Sequence, residues 1–449
     1  MKKFYLVLLL AFFASCTNSN SETQRKDGKR VIRFWHSMSG ALQEKLNKII
    51  DGFNASQNEV IVEGTYKGNY TDALNGVVAA YRGGKQPHIT QVFEVGTQSM
   101  MQSGAIIPVE DLFTKNGIDL NKSDFLAPVL GYYSNLDGKM ISMPFNSSTP
   151  IIFYNQDLLD ELKITKIPET WDEMFAVSKE IKSKSPYCGL VFGWQSWTLV
   201  ENFLAINNVA IANPENGFLG LDVKMNLLSP ELSKNIARVA EAIQNKEFLF
   251  EGRRSEAPRR SFLARKCVFF VDSSSSIGTL KKAAQFKWGT AYQPYLSDRK
   301  PQNSLIGGAS LWVMKGHPEA DYKSIAEFFK FIARPEIQAE WHQATGYIPI
   351  TRSSYDLSTS QGFYLKEPQQ ETAVKQLLRG EMTSKSRGIR LGNFSQVREV
   401  IEENLEKIWE GRLTTEEGLK EANEGANLVL DRFKQLRSNN DKASEETKP

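Results

Sequence analysis

The chain has 449 residues, 41% hydrophobic and 24% charged, with 55 Lys and Arg against 52 Asp and Glu. That length is more than one compact core needs and suits two lobes. The near balance of charge excludes a nucleic-acid or membrane-surface binder, both of which need a strong basic excess.

The chain opens on a leader. Lys2 and Lys3 precede an apolar run over residues 4–13, too short for a stable membrane anchor. Ala14 and Ser15 lead directly into Cys16, the residue order of a bacterial lipobox. Residues 1–15 are therefore expected to be a signal peptide, with Cys16 the lipidated first residue of the mature protein. Residues 16–29 are polar and read as a flexible tether. No later run of about eighteen apolar residues occurs, so the sequence offers no transmembrane helix.

From Val31 the pattern is strand, helix, strand. Residues 31–35 are a short β-like run, and Leu42, Leu46, Ile49, Ile50 and Phe53 then recur at helical spacing. Residues 60–66 return as a strand, Lys67-Gly68-Asn69-Tyr70 turns, and Leu74, Val77, Val78 and Tyr81 mark a second helix. Residues 88–95 give a further strand. Repeated βα units of this length predict a mostly parallel sheet with helices on its faces, and ligands sit beyond the carboxyl ends of such strands. Tyr70 and Glu94 stand at or just beyond two of those ends. Glu94 closes a buried-type run, so its carboxylate needs a partner: a ligand hydroxyl or a structural hydrogen bond.

Residues 143–155 organise the middle of the chain. Between Lys139 and Asp157 there is no charge, Pro144 and Pro150 bracket Asn146-Ser147-Ser148-Thr149, and then comes an apolar β-branched and aromatic run. A kinked, hydroxyl-rich turn feeding a buried strand suits a backbone crossing between two lobes; an ordinary turn before a core strand is the alternative. Thr170 and Glu173 form a capping box. Gly193-Trp194-Gln195-Ser196-Trp197 places two indoles three residues apart, as core packing or as a platform for the C–H faces of a polyol. Arg253, Arg254, Arg259, Arg260, Arg265 and Lys266 make the one basic cluster and read as a solvated face. Residues 268–271 run as a strand into Asp272-Ser273-Ser274-Ser275-Ser276, whose hydroxyls and N–H groups suit an anion or a solvated loop. Gly307-Gly308-Ala309-Ser310 permits close backbone approach. Residues 395–409 form an amphipathic helix with Arg398 in its first turn, and Thr414 and Glu417 make a second capping box. From Ser438 the tail is polar and is expected to be disordered.

Phosphate-loop, zinc-protease and serine-hydrolase motifs are missing, and the four histidines are scattered. Cys188 and Cys267 fit no metal motif and are open between a disulfide and two buried thiols. A carboxylate-pair glycosidase needs no histidine, but Glu94 has no evident partner in the sequence.

Several longer stretches carry a family resemblance: Phe34-Trp35-His36-Ser37-Met38, Thr65-Tyr66-Lys67-Gly68-Asn69-Tyr70, Gln91-Val92-Phe93-Glu94-Val95-Gly96-Thr97 and Pro144-Phe145-Asn146-Ser147-Ser148-Thr149-Pro150. Gly193-Trp194-Gln195, residues 306–314, Trp341-His342-Gln343, Thr345-Gly346-Tyr347 and Arg390-Leu391-Gly392-Asn393 complete the set. Across residues 31–433 the chain resembles the extracellular solute-binding proteins of ABC importers, and most closely their glycerol-3-phosphate-binding members. The resemblance implies a two-lobed α/β periplasmic-binding-protein (Venus-flytrap) fold whose ligand cleft lies between lobes joined by hinge strands. Residues 30–147 and 306–352 would form one lobe, and residues 148–305 and 353–437 the other, with 438–449 as the tail. It implies ligand contacts at Tyr70, Glu94, Ser148, Trp194, Ser273, Gly308, Tyr347 and Arg398, with Trp197 as a neighbour. It implies no catalytic residue, metal or cofactor.

Chemistry divides that set. Arg398, Ser148, Ser273, Tyr347 and the Gly308 N–H are expected on a phosphate, and Glu94, Tyr70 and Trp194 on a glycerol. Asp272 costs anion affinity unless it points away from Ser273. The expected function is capture of sn-glycerol-3-phosphate, or of a glycerophosphodiester such as glycerophosphocholine, by a monomeric, membrane-tethered extracytoplasmic protein. It would deliver the ligand to a permease and its ATPase. An oligosaccharide or polyol binder and a surface glycoside hydrolase are the alternatives.

Overall fold

In the computed structural model, residues 25–446 are described, their side chains from 26 to 439. Cys16 and the rest of the leader lie outside the described residues. The described residues form three sheets, of seven, five and two strands, and the two larger ones carry the chain. The first begins as the sequence predicts. Lys29–His36, Val60–Tyr66 and Ile89–Phe93 run parallel, linked by the helices Gly40–Ala55 and Tyr70–Arg82. The first helix buries Leu46, Ile50 and Phe53, the apolar face read from their spacing. The second starts at a capping box, in which Asn69 Oδ1 accepts from the N–H groups of Thr71 and Asp72. That cap fixes where Tyr70 leaves the turn.

Beyond these units the sheet is mixed rather than mostly parallel. Gly307–Met314 runs antiparallel to Ile89–Phe93, to Met143–Ser148 and to Ile106–Ile107. It enters on a return from the second sheet, so the crossing sets its direction and no βα unit does. In the second sheet Cys188–Phe192 lies parallel to Phe248–Leu249 and Cys267–Ser273, while Pro150–Asn155 runs antiparallel to Cys267–Ser273 and Trp288–Ala291. Cys188 and Cys267 open neighbouring strands with their Cα atoms 4.4 Å apart and are joined by a disulfide.

The crossing lies where residues 143–155 place it. Met143–Ser148 belongs to the first sheet and Pro150–Asn155 to the second, with Thr149 alone between them. Pro150 is the first residue of its strand, a position that tolerates a missing N–H. Thr149 is fully buried, and its Oγ1 bonds the Ser304 hydroxyl at 2.6 Å and the Leu305 carbonyl at 3.0 Å. The outgoing chain is thus tied to the returning one, and Gly307 pairs with Ser148 beside the crossing.

The helix Phe394–Trp409 buries Phe394, Val397, Ile401, Leu405 and Ile408, and most of these pack among side chains of the second sheet. The last helix, Thr415–Glu446, continues past Ser438, where the composition predicts disorder. Leu419, Ala422, Ala426, Leu430 and Phe433 bury its inner face, and once nucleated there the helix adds polar residues at little cost.

Candidate functional site

All eight residues singled out in the sequence, Tyr70, Glu94, Ser148, Trp194, Ser273, Gly308, Tyr347 and Arg398, line one cavity of about 120 Å³. Phe93, Trp197, Ser275 and Gly307 complete its wall. Strand ends deliver most of them. Glu94 comes directly after Ile89–Phe93, Ser148 closes the strand before the crossing, and Ser273 closes Cys267–Ser273. The cavity is therefore built from both sheets, at the carboxyl ends where α/β sheets hold ligands.

At one wall Glu94 and Arg398 join Glu201 in a buried cluster of three ionisable side chains. Arg398 donates from Nε to Glu201 Oε1 at 2.7 Å, and from Nη2 to Glu201 Oε2 at 2.7 Å and Glu94 Oε1 at 2.8 Å. Ser196 Oγ donates to Glu201 Oε1 at 3.0 Å. All three ionic side chains are buried: Glu201 is 2% exposed, Glu94 5% and Arg398 8%. The carboxylates keep Arg398 protonated despite its burial, which by itself favours loss of the proton. Burial pushes the Glu94 carboxyl above its ordinary value while Arg398 pulls it down.

This cluster revises the expected division of roles. Arg398 is not a free cation awaiting phosphate, because its guanidinium is already bonded to the carboxyl groups of both Glu201 and Glu94. A phosphate placed there would compete with those two carboxyl groups for the guanidinium. A hydroxyl fits, since it donates to a carboxylate and accepts from a guanidinium at once.

The other polar groups form a separate, neutral network. The Tyr70 hydroxyl accepts from Asn146 Nδ2 at 2.9 Å, and its ring stacks on Phe93 with centroids 5.4 Å apart. Tyr347 stacks on Trp341 at 5.8 Å and 5°, and its hydroxyl interacts with Tyr70, Asn146 and Ser275. His342 Nδ1 meets the Tyr347 carbonyl at 2.5 Å, and Tyr364 meets His342 Nε2 at 2.8 Å. Burial pushes both cavity phenols up, so they remain protonated donors. Gly308 has φ of +88°, and a Cβ there would overlap the Asn146 carbonyl oxygen, so glycine is required.

Asp272 points away. Alternate residues of a strand face opposite sides; Ser273 lines the cavity, while Asp272 is fully buried with Oδ2 accepting from Ser255 and Ser276. Trp194 has φ of +52°, rare for a bulky side chain. Its carbonyl accepts from the Thr198 N–H at 2.9 Å, and the Arg254 guanidinium lies 5.2 Å from its ring centre. Nor is the basic cluster only a solvated face. Arg253 forks onto Glu406 at 2.8 and 2.6 Å, and Arg254 meets Glu402 at 3.2 Å. Arg398, Glu402 and Glu406 thus form one stripe of their helix at i, i+4 spacing.

Two groups of the site escaped the sequence reading: Ser275 on the cavity wall and Glu201, which bonds Arg398. Glu201 is the one charge in Trp197–Ile206, and a lone carboxylate in so apolar a run signals a buried partner. Ser275 lay within the flagged serine run, but which serine of four faces inward depends on the turn after the strand. Glu201 also supplies the second carboxylate a glycosidase needs, yet both its oxygens are engaged by Arg398.

The family model of bacterial extracellular solute-binding proteins matches residues 48–372. The sn-glycerol-3-phosphate-binding periplasmic protein UgpB of Pectobacterium atrosepticum is 42% identical over 409 residues, covering 90% of this chain and 92% of that protein. Among solved structures, UgpB from Mycobacterium tuberculosis in complex with glycerophosphocholine superposes with a TM-score of 0.76 at 20% identity, over 90% of this chain and 99% of that one. The cyclic α-maltosyl-1,6-maltose binding protein of Arthrobacter globiformis gives 0.74 at 20% identity, over 90% of this chain and 100% of that one. These two likenesses show the two-lobed fold.

The charge cluster makes a stability prediction. Arg398→Ala leaves Glu94 and Glu201 buried without their cation and is expected to cost about 3–5 kcal/mol in urea unfolding at neutral pH. Glu201→Gln keeps the Arg398–Glu94 pair and should cost about 1–3 kcal/mol. Equal, small losses in both variants would contradict the coupling.

Proposed function

Because the chain belongs to the bacterial extracellular solute-binding proteins, we propose that it is the binding component of an ABC importer, capturing sn-glycerol-3-phosphate or a glycerophosphodiester such as glycerophosphocholine. It acts by binding and release rather than by turnover. The observation that carries the ligand assignment is the pairing of two unlike networks on one small cavity. The Glu94–Arg398–Glu201 cluster suits vicinal hydroxyls, which satisfy carboxylate and guanidinium together. Ser148, Ser273, Ser275, Tyr70, Tyr347 and the Gly308 N–H supply neutral donors for phosphate oxygens, whose charge strengthens each bond. Trp194 and Trp197 add apolar wall for the carbon skeleton. The curated relative's glycerol-3-phosphate and the structural neighbour's glycerophosphocholine share this glycerol-phosphate unit.

The two sheets serve as cores of lobes that close on the ligand. Glu94 and Ser148 come from one and Ser273 from the other, so a bound solute bridges them and favours closure. The closed form then presents the solute to permease subunits and their ATPase. The protein works outside the cytoplasm as a monomer, tethered by a lipid on Cys16.

Calorimetric titration of the soluble form from Asn18 tests the ligand. We expect saturable one-to-one binding of glycerol-3-phosphate, of glycerophosphocholine, or of both. Ser148→Ala combined with Ser273→Ala should weaken it by about 100-fold, each deletion removing a hydrogen bond to a charged group. Binding of maltose in place of either phosphate compound would move the assignment to sugars, and heat from none would remove the ligand reading. For the tether, full-length protein should enter the detergent phase on Triton X-114 partition, and Cys16→Ser should leave it aqueous. Identical partition of the two would overturn the lipid anchor.

A further inference from the structure

Outside the inner cavity lies a larger one of about 590 Å³. Tyr70, Trp194, Ser273, Ser275 and Tyr347 line both, so the two are continuous through that collar. The outer chamber differs in charge from the inner. Lys45 from one side and Arg259 and Lys282 from the other line it, against the single carboxylate of Glu256. None of these three cations makes a direct ion pair with a carboxylate among the described residues, Arg259 feeling only Asp272 through the serines between them, whereas Arg253, Arg254, Arg265, Lys266 and Lys281 nearby all do.

Arg259 is held in place. Its Nη1 donates to Ser255 Oγ at 3.2 Å and to Ser276 Oγ at 3.3 Å. Both hydroxyls spend their protons on the buried Asp272 Oδ2, which turns their lone pairs toward the guanidinium. Asp272, the carboxylate that threatened anion binding from sequence, thereby anchors a cation at the mouth. The Arg259 side chain, so held, is part of the chamber wall.

We propose that this chamber is a second subsite that takes the head group of a glycerophosphodiester and selects it by charge, favouring anionic head groups over a quaternary ammonium. The proposal rests on the glycerol-phosphate reading of the inner cavity. With the phosphate among the collar hydroxyls of Ser273, Ser275 and Tyr347, an ester substituent extends through the shared collar into the chamber. There an anionic group, such as a phosphorylated inositol, meets Arg259, held by Ser255 and Ser276, together with Lys45 and Lys282. A choline meets the same three cations with one carboxylate to offset them. Glycerol-3-phosphate carries no substituent and leaves the chamber to solvent.

Titration of the soluble form with glycerol-3-phosphate, glycerophosphocholine, glycerophosphoglycerol and glycerophosphoinositol 4-phosphate tests this. The readout is the ratio of affinities among the diesters. At low salt the inositol phosphate diester should bind about tenfold more tightly than the choline diester, the summed effect of three partly exposed cations. Glycerophosphoglycerol should fall between them, and added salt should shrink the ratio. Lys45→Gln with Lys282→Gln, both on accessible side chains, should compress the ratio several-fold and leave glycerol-3-phosphate binding unchanged. Arg259→Gln should do the same, with the lysine variant guarding against a folding effect at Arg259. A choline diester bound as tightly as the anionic one, or a ratio indifferent to the substitutions, would overturn the subsite and leave the inner cavity's assignment standing. Binding of glycerol-3-phosphate with no diester would do likewise. Failure of all four ligands would be a failure of the glycerol-phosphate reading itself.

Discussion

The buried cluster of Glu94, Arg398 and Glu201 is the constraint on which the rest of the site depends. Three ionisable groups almost sealed from water are tolerable only with near-complete mutual bonding, and the fork of Arg398 onto Glu201 with a further bond to Glu94 provides it. Glu94 stands at the end of a strand of the seven-stranded sheet, while Arg398 lies on a helix packed mainly with the five-stranded one. The cluster therefore joins the two halves beside the cavity. In the proposed function its occupied guanidinium turns the hydroxyl end of a glycerol phosphate, and not the phosphate, toward it.

Around that cluster the backbone works to bring small polar groups close. Thr149 alone separates two strands in different sheets, so Ser148 is held at the crossing itself. The left-handed Gly308 lies against Asn146, and Asn146 in turn supports Tyr70. Tyr347 is clamped by the Trp341 stack and by His342, whose ring is consumed by the Tyr347 carbonyl and Tyr364. Each donor reaches the cavity on a group that is itself held, which lowers the entropy lost when a ligand binds.

Much of this was legible in the sequence, for reasons that differ by residue. The first βα units come from apolar periodicity, and the crossing comes from a charge-free, proline-bracketed segment. The eight cavity residues came from motifs shared with a family, reinforced by position: Tyr70 and Glu94 at strand ends, Ser273 at a strand-to-helix junction. What periodicity could not carry was direction and pairing. The antiparallel Gly307–Met314 strand depends on the return from the second sheet, which no local pattern records. Arg398 looked like a phosphate ligand because Glu201 is 197 residues away in the chain, and only the fold shows that the guanidinium is already occupied. Asp272 looked obstructive because one residue of strand phase separates a cavity wall from a buried anchor.

The most direct test of this account is the crystal structure of the complex with sn-glycerol-3-phosphate. We expect the two glycerol hydroxyls on Glu94 and Arg398, with Arg398 still forked onto Glu201, and the phosphate oxygens on Ser148, Ser273, Tyr347 and the Gly308 N–H. A phosphate bonded directly to Arg398, with either glutamate displaced from it, would contradict the central claim.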